Sequence, residues 1–316
     1  MLTVDTQVVE DRCAVGAPAP DVAQVLNDVA GWPQLHRPAV HAEVRARGED
    51  GDLVQHWWVT SRTTVRSWLE RRTVSDGGRR VDVVHEPAAA PFADVRQQWT
   101  VEDDGAGGSV IRVRHQFTLA RPDRAEAARQ LELARAELAE LLASIRYAAE
   151  HRAELADLVV AFEDPLYVAG PVEKAYTYLY EADKWPERIP HVVGLKLEQP
   201  SPDVQFFDMD TKSADGSAHT TRSVRICLDN YKIVYKQTQP PKTMTAHTGH
   251  WLITPTREGF ILSARHTATV RPEGMHLLGE GTTVESARRY LRRVLSANSM
   301  GNLRLAKAYA EEELGW

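Results

Sequence analysis

Thr64 to Arg72 reads T-V-R-S-W-L-E-R-R. As a β-strand it alternates side chains between two faces, with Arg66, Trp68, Glu70 and Arg72 on one and Val65, Ser67, Leu69 and Arg71 on the other. One face then carries an indole, a carboxylate and two guanidinium groups. Burying such a face is costly unless its charges are paired or used. Two readings follow: the wall of a polar cavity, or an edge strand with a solvated charged face. The chain on either side has to choose between them.

Outward from this stretch the chain repeats itself. A-P-A-P-D-V-A-Q-V-L-N-D-V-A-G-W-P-Q-L-H-R-P runs from Ala17 to Pro38, and G-P-V-E-K-A-Y-T-Y-L-Y-E-A-D-K-W-P-E-R-I-P from Gly170 to Pro190. Shifted by 153 residues, Pro18 falls on Pro171, Leu26 on Leu179, and Trp32-Pro33 on Trp185-Pro186. Trp99 matches Trp251, and Arg114-His115 matches Arg265-His266, at offsets that drift by one or two residues. A period this long is a duplicated domain rather than a solenoid unit, and it predicts domains at 1–153 and 154–316 of the 316 residues.

Within each half a first strand (near Gln7 to Val15, and Leu158 to Val168) leads to a Pro-initiated helix that stops at the Trp-Pro pair. Six alternating segments follow, punctuated in the first half by Asp76-Gly77-Gly78 and Asp103 to Gly108 and in the second by Asp215-Gly216. A long helix closes each half. In the first, Leu131, Ala134, Leu138, Leu141, Leu142 and Ile145 form an apolar stripe on a helix predicted over Ala125 to Asp157. In the second, the stripe is Tyr290, Leu291, Val294, Asn298, Leu305 and Tyr309, and its inward amide is either a satisfied core group or a cavity group. A curled antiparallel sheet partly covered by one helix leaves a hollow between them, which favours the cavity reading of the opening strand.

Composition sets outer bounds. A chain 43% hydrophobic and 26% charged is ordinary globular protein, and a net charge of -6 argues against nucleic acid or an anionic membrane as partner. Cys13 and Cys227, the two cysteines, give no disulfide framework, and the N-terminus lacks a signal peptide's basic start and apolar run; a cytoplasmic protein is expected. There is no GxGxxG after a strand, P-loop, HExxH or nucleophile elbow, so no cofactor and no metal is expected.

The order of elements, the Trp-Pro pair, V-R-S-W-L-E-R-R at Val65 to Arg72, the strand tryptophans Trp99 and Trp251, and A-N-S at Ala297 to Ser299 resemble the di-domain aromatase/cyclases of bacterial type II polyketide synthases over nearly the whole chain. The resemblance implies an α+β class: two tandem helix-grip domains, also called Bet v 1-like or START-like, each a curved antiparallel sheet around a long C-terminal helix. It implies aldol cyclisation of a poly-β-ketone, commonly between carbon 7 and carbon 12, and dehydrative aromatisation. The implied partners are an acyl carrier protein and the other synthase subunits. The alternative is a non-catalytic carrier of a hydrophobic ligand on the same fold.

Carried over residue by residue, the family's pocket tryptophan falls on Trp68 and its key arginine on Arg72, which would stabilise a developing enolate or keto oxygen. Its pocket serine is replaced by Glu70 and its pocket tyrosine by Ala39. The acid or base is then Glu70, if burial raises its pKa, or His85, His36 or ordered water. Arg66 assists Arg72 or pairs with Glu70. Trp32, Trp58 and Trp99 are the remaining substrate-binding candidates of the first domain. In the second domain, Ser67 aligned on Ser223 puts Val224 at the tryptophan position and Leu228 at the arginine position. Asn298 matches the family's pocket asparagine, a catalytic candidate, with Arg222, Tyr235 and Trp251 as candidates for binding.

Overall fold

The computed structural model describes residues 6–212 and 218–312. Contacts divide the chain into two compact units, Met1–Thr60 with Val65–Ala153 and Ser61–Thr64 with Glu154–Trp316. The turn expected at Asp215-Gly216 lies outside the described residues.

The first unit begins with β1 (Thr6–Val15), followed by α1 (Ala19–Asn27) and the short α2 (Trp32–Leu35). Pro20 presets the first turn of α1, and Ala19, Val22, Ala23 and Leu26 fall on its buried face. Six strands follow: β2 (Ala39–Ala46), β3 (Asp52–Ser61), β4 (Thr64–Ser75), β5 (Arg80–His85), β6 (Phe92–Asp103) and β7 (Ser109–Leu119). They form one sheet in the order β1-β7-β6-β5-β4-β3-β2, so the opening stretch is an interior strand and not an edge. The β4–β5 connection turns through positive φ at Asp76, Gly77 and Gly78 (51°, 61° and 90°), where glycine is unstrained. The Asp104 carboxylate accepts from the Ala106 and Gly108 amides in the β6–β7 turn.

The closing helix α3 (Arg124–Glu150) is N-capped by Asp123, whose carboxylate accepts from the Ala125 and Glu126 amides. One helix to Asp157 was expected; it breaks at His151, and α4 (Arg152–Leu158) follows. Along α3, Leu138, Leu141, Leu142, Ile145 and Ala149 pack with Trp32, Val81, Val83, Trp99 and Ile111 in the main core. Near its N-terminus Ala127 and Leu131 pack on a smaller cluster of Val95, Phe117 and Leu119. The site described below lies between these clusters.

The second unit repeats the design: β8 (Val159–Val168), α5 (Val172–Tyr180), α6 (Trp185–Arg188), β9 (Val192–Ser201), β10 (Val204–Lys212), β11 (Ala218–Leu228), β12 (Lys232–Gln239), β13 (Met244–Pro255), β14 (Phe260–Val270) and α7 (Val284–Glu311). Its sheet order, β8-β14-β13-β12-β11-β10-β9, is that of the first. Two seven-stranded antiparallel sheets, each with a long closing helix, are tandem helix-grip domains of the α+β class.

The phase of α7 corrects the expected stripe. Its buried residues are Ala287, Leu291, Ser299, Asn302, Leu303, Ala306 and Ala310, whereas Asn298 is exposed and Tyr290, Leu305 and Tyr309 are 36–39% exposed. The helix packs closely through small side chains: a Cβ on Gly170 would lie 2.3 Å from the Ala310 carbonyl oxygen. The large apolar residues therefore ride on its flank, about 100° from the inward line.

Candidate functional site

A cavity with about 970 Å³ of empty space, its open mouth included, lies between the sheet and α3 of the first unit. Its lining combines the β4 face (Arg66, Trp68, Glu70, Arg72) with Trp32, Trp58, His85, Gln97 and His115, and with Gln130, Glu137 and Leu138 of α3.

Glu70 is the polar centre of the wall. It is 4% exposed. Its Oε1 accepts from the Arg72 guanidinium at 3.0 Å and lies 3.1 Å from His56 Nε2. Its Oε2 accepts from the Trp68 indole at 2.8 Å and lies 3.9 Å from His85 Nε2. Burial by itself would raise the Glu70 pKa, but His56, Arg72 and His85 outweigh it and hold the pKa lowered. The expectation of a carboxyl raised by burial is thus reversed: with donors on both oxygens, Glu70 is an anion that organises its neighbours.

Trp68 is flanked by rings on both adjoining strands. His56 of β3 stacks on it at 5.0 Å and 14°, and His85 of β5 at 5.8 Å and 20°. Trp58 meets it edge-on at 5.1 Å. The cross-strand register places His85 directly opposite Glu70. Arg66 pairs with Glu137 of α3 at 2.8 Å rather than with Glu70, and its guanidinium lies 5.0 Å over the Trp68 ring. Arg72 is 5% exposed, donates to the Leu26 carbonyl at 3.2 Å and lies over Trp32 at 5.6 Å.

The histidines facing the cavity are neutral at neutral pH. Burial pushes His85 down to about 4, with Glu70 pulling upward and Arg66 and His56 pushing further down. His115 is pushed to about 4 by burial, His85 and Arg66. Trp58 Nε1, His85 Nε2 and His115 Nδ1 are buried and make no hydrogen bond among the described residues. In a largely apolar sleeve they are groups suited to a ligand's carbonyl, enol or hydroxyl oxygens.

Other expected residues sit elsewhere. Trp99 is 1% exposed and belongs to the core, its indole donating to Gln97, which takes the cavity position. His36 bonds Ser144 at 3.1 Å and packs on Trp58 behind the wall. Asn298 is solvent-facing, and the amide that α7 turns inward is Asn302, 8% exposed.

In the second unit the arginine counterpart is Arg225 and not Leu228. It donates to the Leu179 carbonyl at 2.8 Å and lies over Trp185 at 5.0 Å, as Arg72 does with Leu26 and Trp32. Glu70 is thereby matched by Ser223 and Trp68 by Thr221. Arg222, three residues before Arg225, points to the opposite face of β11, where it pairs with Asp208 at 2.9 Å and Glu198 at 3.3 Å. Trp251 is core, edge-on to Trp185 at 5.8 Å. Tyr235 faces inward and belongs to a buried chain: its hydroxyl lies 2.8 Å from His266 Nδ1, which lies 3.1 Å from His247 Nε2, and His247 Nδ1 lies 2.9 Å from Gln237 Oε1.

Sequence reasoning missed His56, Gln97, Gln130, Glu137 and His115 as lining or supporting groups. The alternation Val54, His56, Trp58 was a usable signal for the first. His115 had served only as a landmark of the repeat.

The fold and cavity define a class: a tandem helix-grip protein whose first unit holds an aromatic-lined, internally charged pocket. Residues 6–150 match the family described as polyketide cyclase/dehydrase and lipid transport. The chain is 39% identical over 257 residues to the granaticin polyketide synthase bifunctional cyclase/dehydratase of Streptomyces virginiae, covering 79% of this chain and 82% of that protein. The solved di-domain aromatase/cyclase StfQ of the steffimycin pathway aligns with a TM-score of 0.87 at 53% identity, over 98% of this chain and all of StfQ. BexL of the BE-7585A pathway aligns at 0.84 and 32% identity, over 96% and 99%. The chain belongs to the di-domain polyketide aromatase/cyclase family, and is an enzyme of the cyclase/dehydratase type rather than a passive carrier. No helix among the described residues is long and apolar enough to cross a membrane.

Proposed function

We propose that the first-unit cavity receives a poly-β-ketone delivered by an acyl carrier protein in the cytoplasm, closes its first ring between carbon 7 and carbon 12, and promotes dehydrative aromatisation. Residues 1–153 would form the cyclising domain and 154–316 its partner domain.

The observation that carries this reading is the coexistence, in one cavity, of a fixed guanidinium and a neutral imidazole with an unused nitrogen. Poly-β-ketone methylenes are acidic, so a weak base held at the right carbon suffices. His85 Nε2 takes the methylene proton, and Glu70, 3.9 Å away, steadies the imidazolium that forms. The carbanion attacks the ketone carbon that ring closure between carbon 7 and carbon 12 requires, and the new alkoxide takes the proton back from the His85 imidazolium, leaving His85 neutral. Arg72 stabilises the oxyanion as charge develops on it. In the dehydration His85 removes the proton on the neighbouring carbon and passes it to the departing hydroxide, so that the carbon–carbon double bond forms and one water is released.

The test is reconstitution of a synthase with carrier-bound chain and His85→Gln or Arg72→Lys protein. Removing a general base typically lowers the rate by about 10²–10⁴, so carbon 7 to carbon 12 products should give way to spontaneous ones with both variants folded. Unchanged product ratios with both variants would refute the assignment.

A further inference from the structure

His56 is 1% exposed and is not itself a lining residue of the cavity, yet it lies directly behind the most polar group of the wall. Its ring lies flat on Trp68 at 5.0 Å and 6.0 Å from Trp32, and its Nε2 reaches Glu70 Oε1 at 3.1 Å. Both ring nitrogens are buried and neither makes a well-aligned hydrogen bond, so Nε2 meets Glu70 as a close polar contact. An apolar ring would fill this space between two indoles without burying a nitrogen, so packing alone does not account for an imidazole here.

The duplication supplies an independent observation. The β2–β3 register pairs Ala42 with His56, and the β9–β10 register pairs Leu195 with Met209. Met209 is therefore the counterpart of His56, and Ser223 that of Glu70. Where the carboxylate is absent, so is the imidazole.

We infer that His56 is a positioning residue of the cyclisation site, a buried support that fixes the Glu70 carboxylate and, through it, the Arg72 guanidinium and the Trp68 and His85 rings. Arg72 donates to the same Glu70 oxygen that His56 approaches, and Trp68 to the other. Without His56, one side of that carboxylate loses its restraint, and the geometry of Arg72 loosens with it. The inference rests on the proposed use of the first-unit cavity for its catalytic consequence, but the support of Glu70 can be read without any turnover.

Two variants separate the nitrogen from the ring. His56→Phe keeps the stack on Trp68 and removes the nitrogen that faces Glu70; His56→Gln keeps a polar group there and removes the stack. In a carbon-13 NMR titration of the Glu70 carboxyl, His56→Phe should raise its pKa by about one unit or more and His56→Gln should restore most of the difference. With carrier-bound substrate, His56→Phe should lower kcat at least about tenfold with KM within about twofold, and shift the acid limb of the pH profile upward. An unchanged Glu70 titration in His56→Phe, or equal effects from both variants, overturns the inference, even if His85→Gln is inactive. If the phenylalanine variant does not fold, His56→Asn, whose amide is too short to reach Glu70, must show the raised titration instead; a wild-type titration there also overturns it. A shifted titration with wild-type products would leave the support of Glu70 standing and refute its catalytic role.

Discussion

Arg72 and Arg225 hold equivalent places in the two units and have opposite surroundings. Each lies over the tryptophan of a Trp-Pro pair, at 5.6 Å and 5.0 Å, and each donates to a carbonyl in the last turn of the preceding helix, Leu26 of α1 and Leu179 of α5. A cation there satisfies an orphan carbonyl and complements the helix dipole. Beyond this shared staple they diverge. Arg225 is fully buried, hydrogen-bonded to neutral partners, the Gln205 amide oxygen and the Tyr180 carbonyl, and packed under Phe207 and Trp251. Arg72 borders a cavity and carries the Glu70 carboxylate. The arginine therefore belongs first to the fold, and what distinguishes the first unit chemically is the set built around Glu70: His56, Trp68 and His85.

Replacing Arg225 by Met tests the structural half of that comparison and should have the largest effect on stability. It leaves the Leu179 carbonyl and the Gln205 amide oxygen without their donor, at about 1–3 kcal/mol for each buried group left unsatisfied, while the Tyr180 carbonyl keeps the Gln205 amide. A loss of about 4 kcal/mol or more, read as an early transition in urea, is expected. Arg72→Met should cost less, about 1–3 kcal/mol, because Glu70 keeps the Trp68 indole as a donor; pairing it with Glu70→Gln should recover part of the stability and none of the activity. Equal stability of Arg225→Met and wild type would break the comparison.

The parts of this arrangement visible in the sequence were those carried by local pattern. Pro18 and Pro171, the Trp-Pro pairs, and the alternation around Trp68 rest on rules for turns and strands, and they sufficed for the duplicated fold, the cavity and four of its lining residues on β4. The register between copies failed because two serines, Ser67 and Ser223, made a closer local match than two arginines at the constant offset of 153. The staple that fixes the true register is a long-range contact to a backbone carbonyl, which leaves no mark on neighbouring residues. The phase of α7 failed for another reason: hydrophobicity favours Tyr290, Leu305 and Tyr309, whereas close packing selects Ala287, Ser299, Ala306 and Ala310. The sign of the Glu70 shift depended on His56, which lies on the neighbouring strand.

Acid sharpens the contrast further. His247 is held down to about 3 by burial and by His266, and His266 at about 4 by burial and Arg292 against the pull of Asp164; Tyr235 and Gln237 complete their surroundings. Folded pKa values below the ordinary 6.5 mean that the unfolded chain binds more protons. The stability they confer is complete above about 6.5 and falls as pH drops toward 4. His85 and His115 act in the same direction in the first unit, but they border the cavity. The unfolding free energy should drop by a few kcal/mol between pH 7 and pH 5, on the scale of about 1.4 kcal/mol per pKa unit. The joint change His247→Gln and His266→Gln should flatten that dependence; an undiminished slope would place the titration elsewhere.

The smallest expected effect concerns the tyrosine that only the second unit possesses. Across the sheet, Tyr235 faces Arg225 where Val83 faces Arg72. Its hydroxyl fits because Gly249 stands where the first unit has Gln97: a Cβ at 249 would lie 2.3 Å from that oxygen. The inner face that opens beside Gln97 and His115 in one unit is thus occupied by a phenol and two histidines in the other. Tyr235→Phe removes the hydroxyl from His266 Nδ1, which keeps His247 Nε2 as a neighbour at 3.1 Å. Its cost should be about 1 kcal/mol, the net worth of one hydrogen bond, with the ring packing on Trp251 retained. Because the phenol's pKa is raised by burial, the hydroxyl stays protonated and the effect should be the same at pH 7 and pH 9. A loss several times larger would mean that the hydroxyl holds the whole His266–His247–Gln237 chain in place, making it, and not the set around Glu70, the feature that most separates the two units.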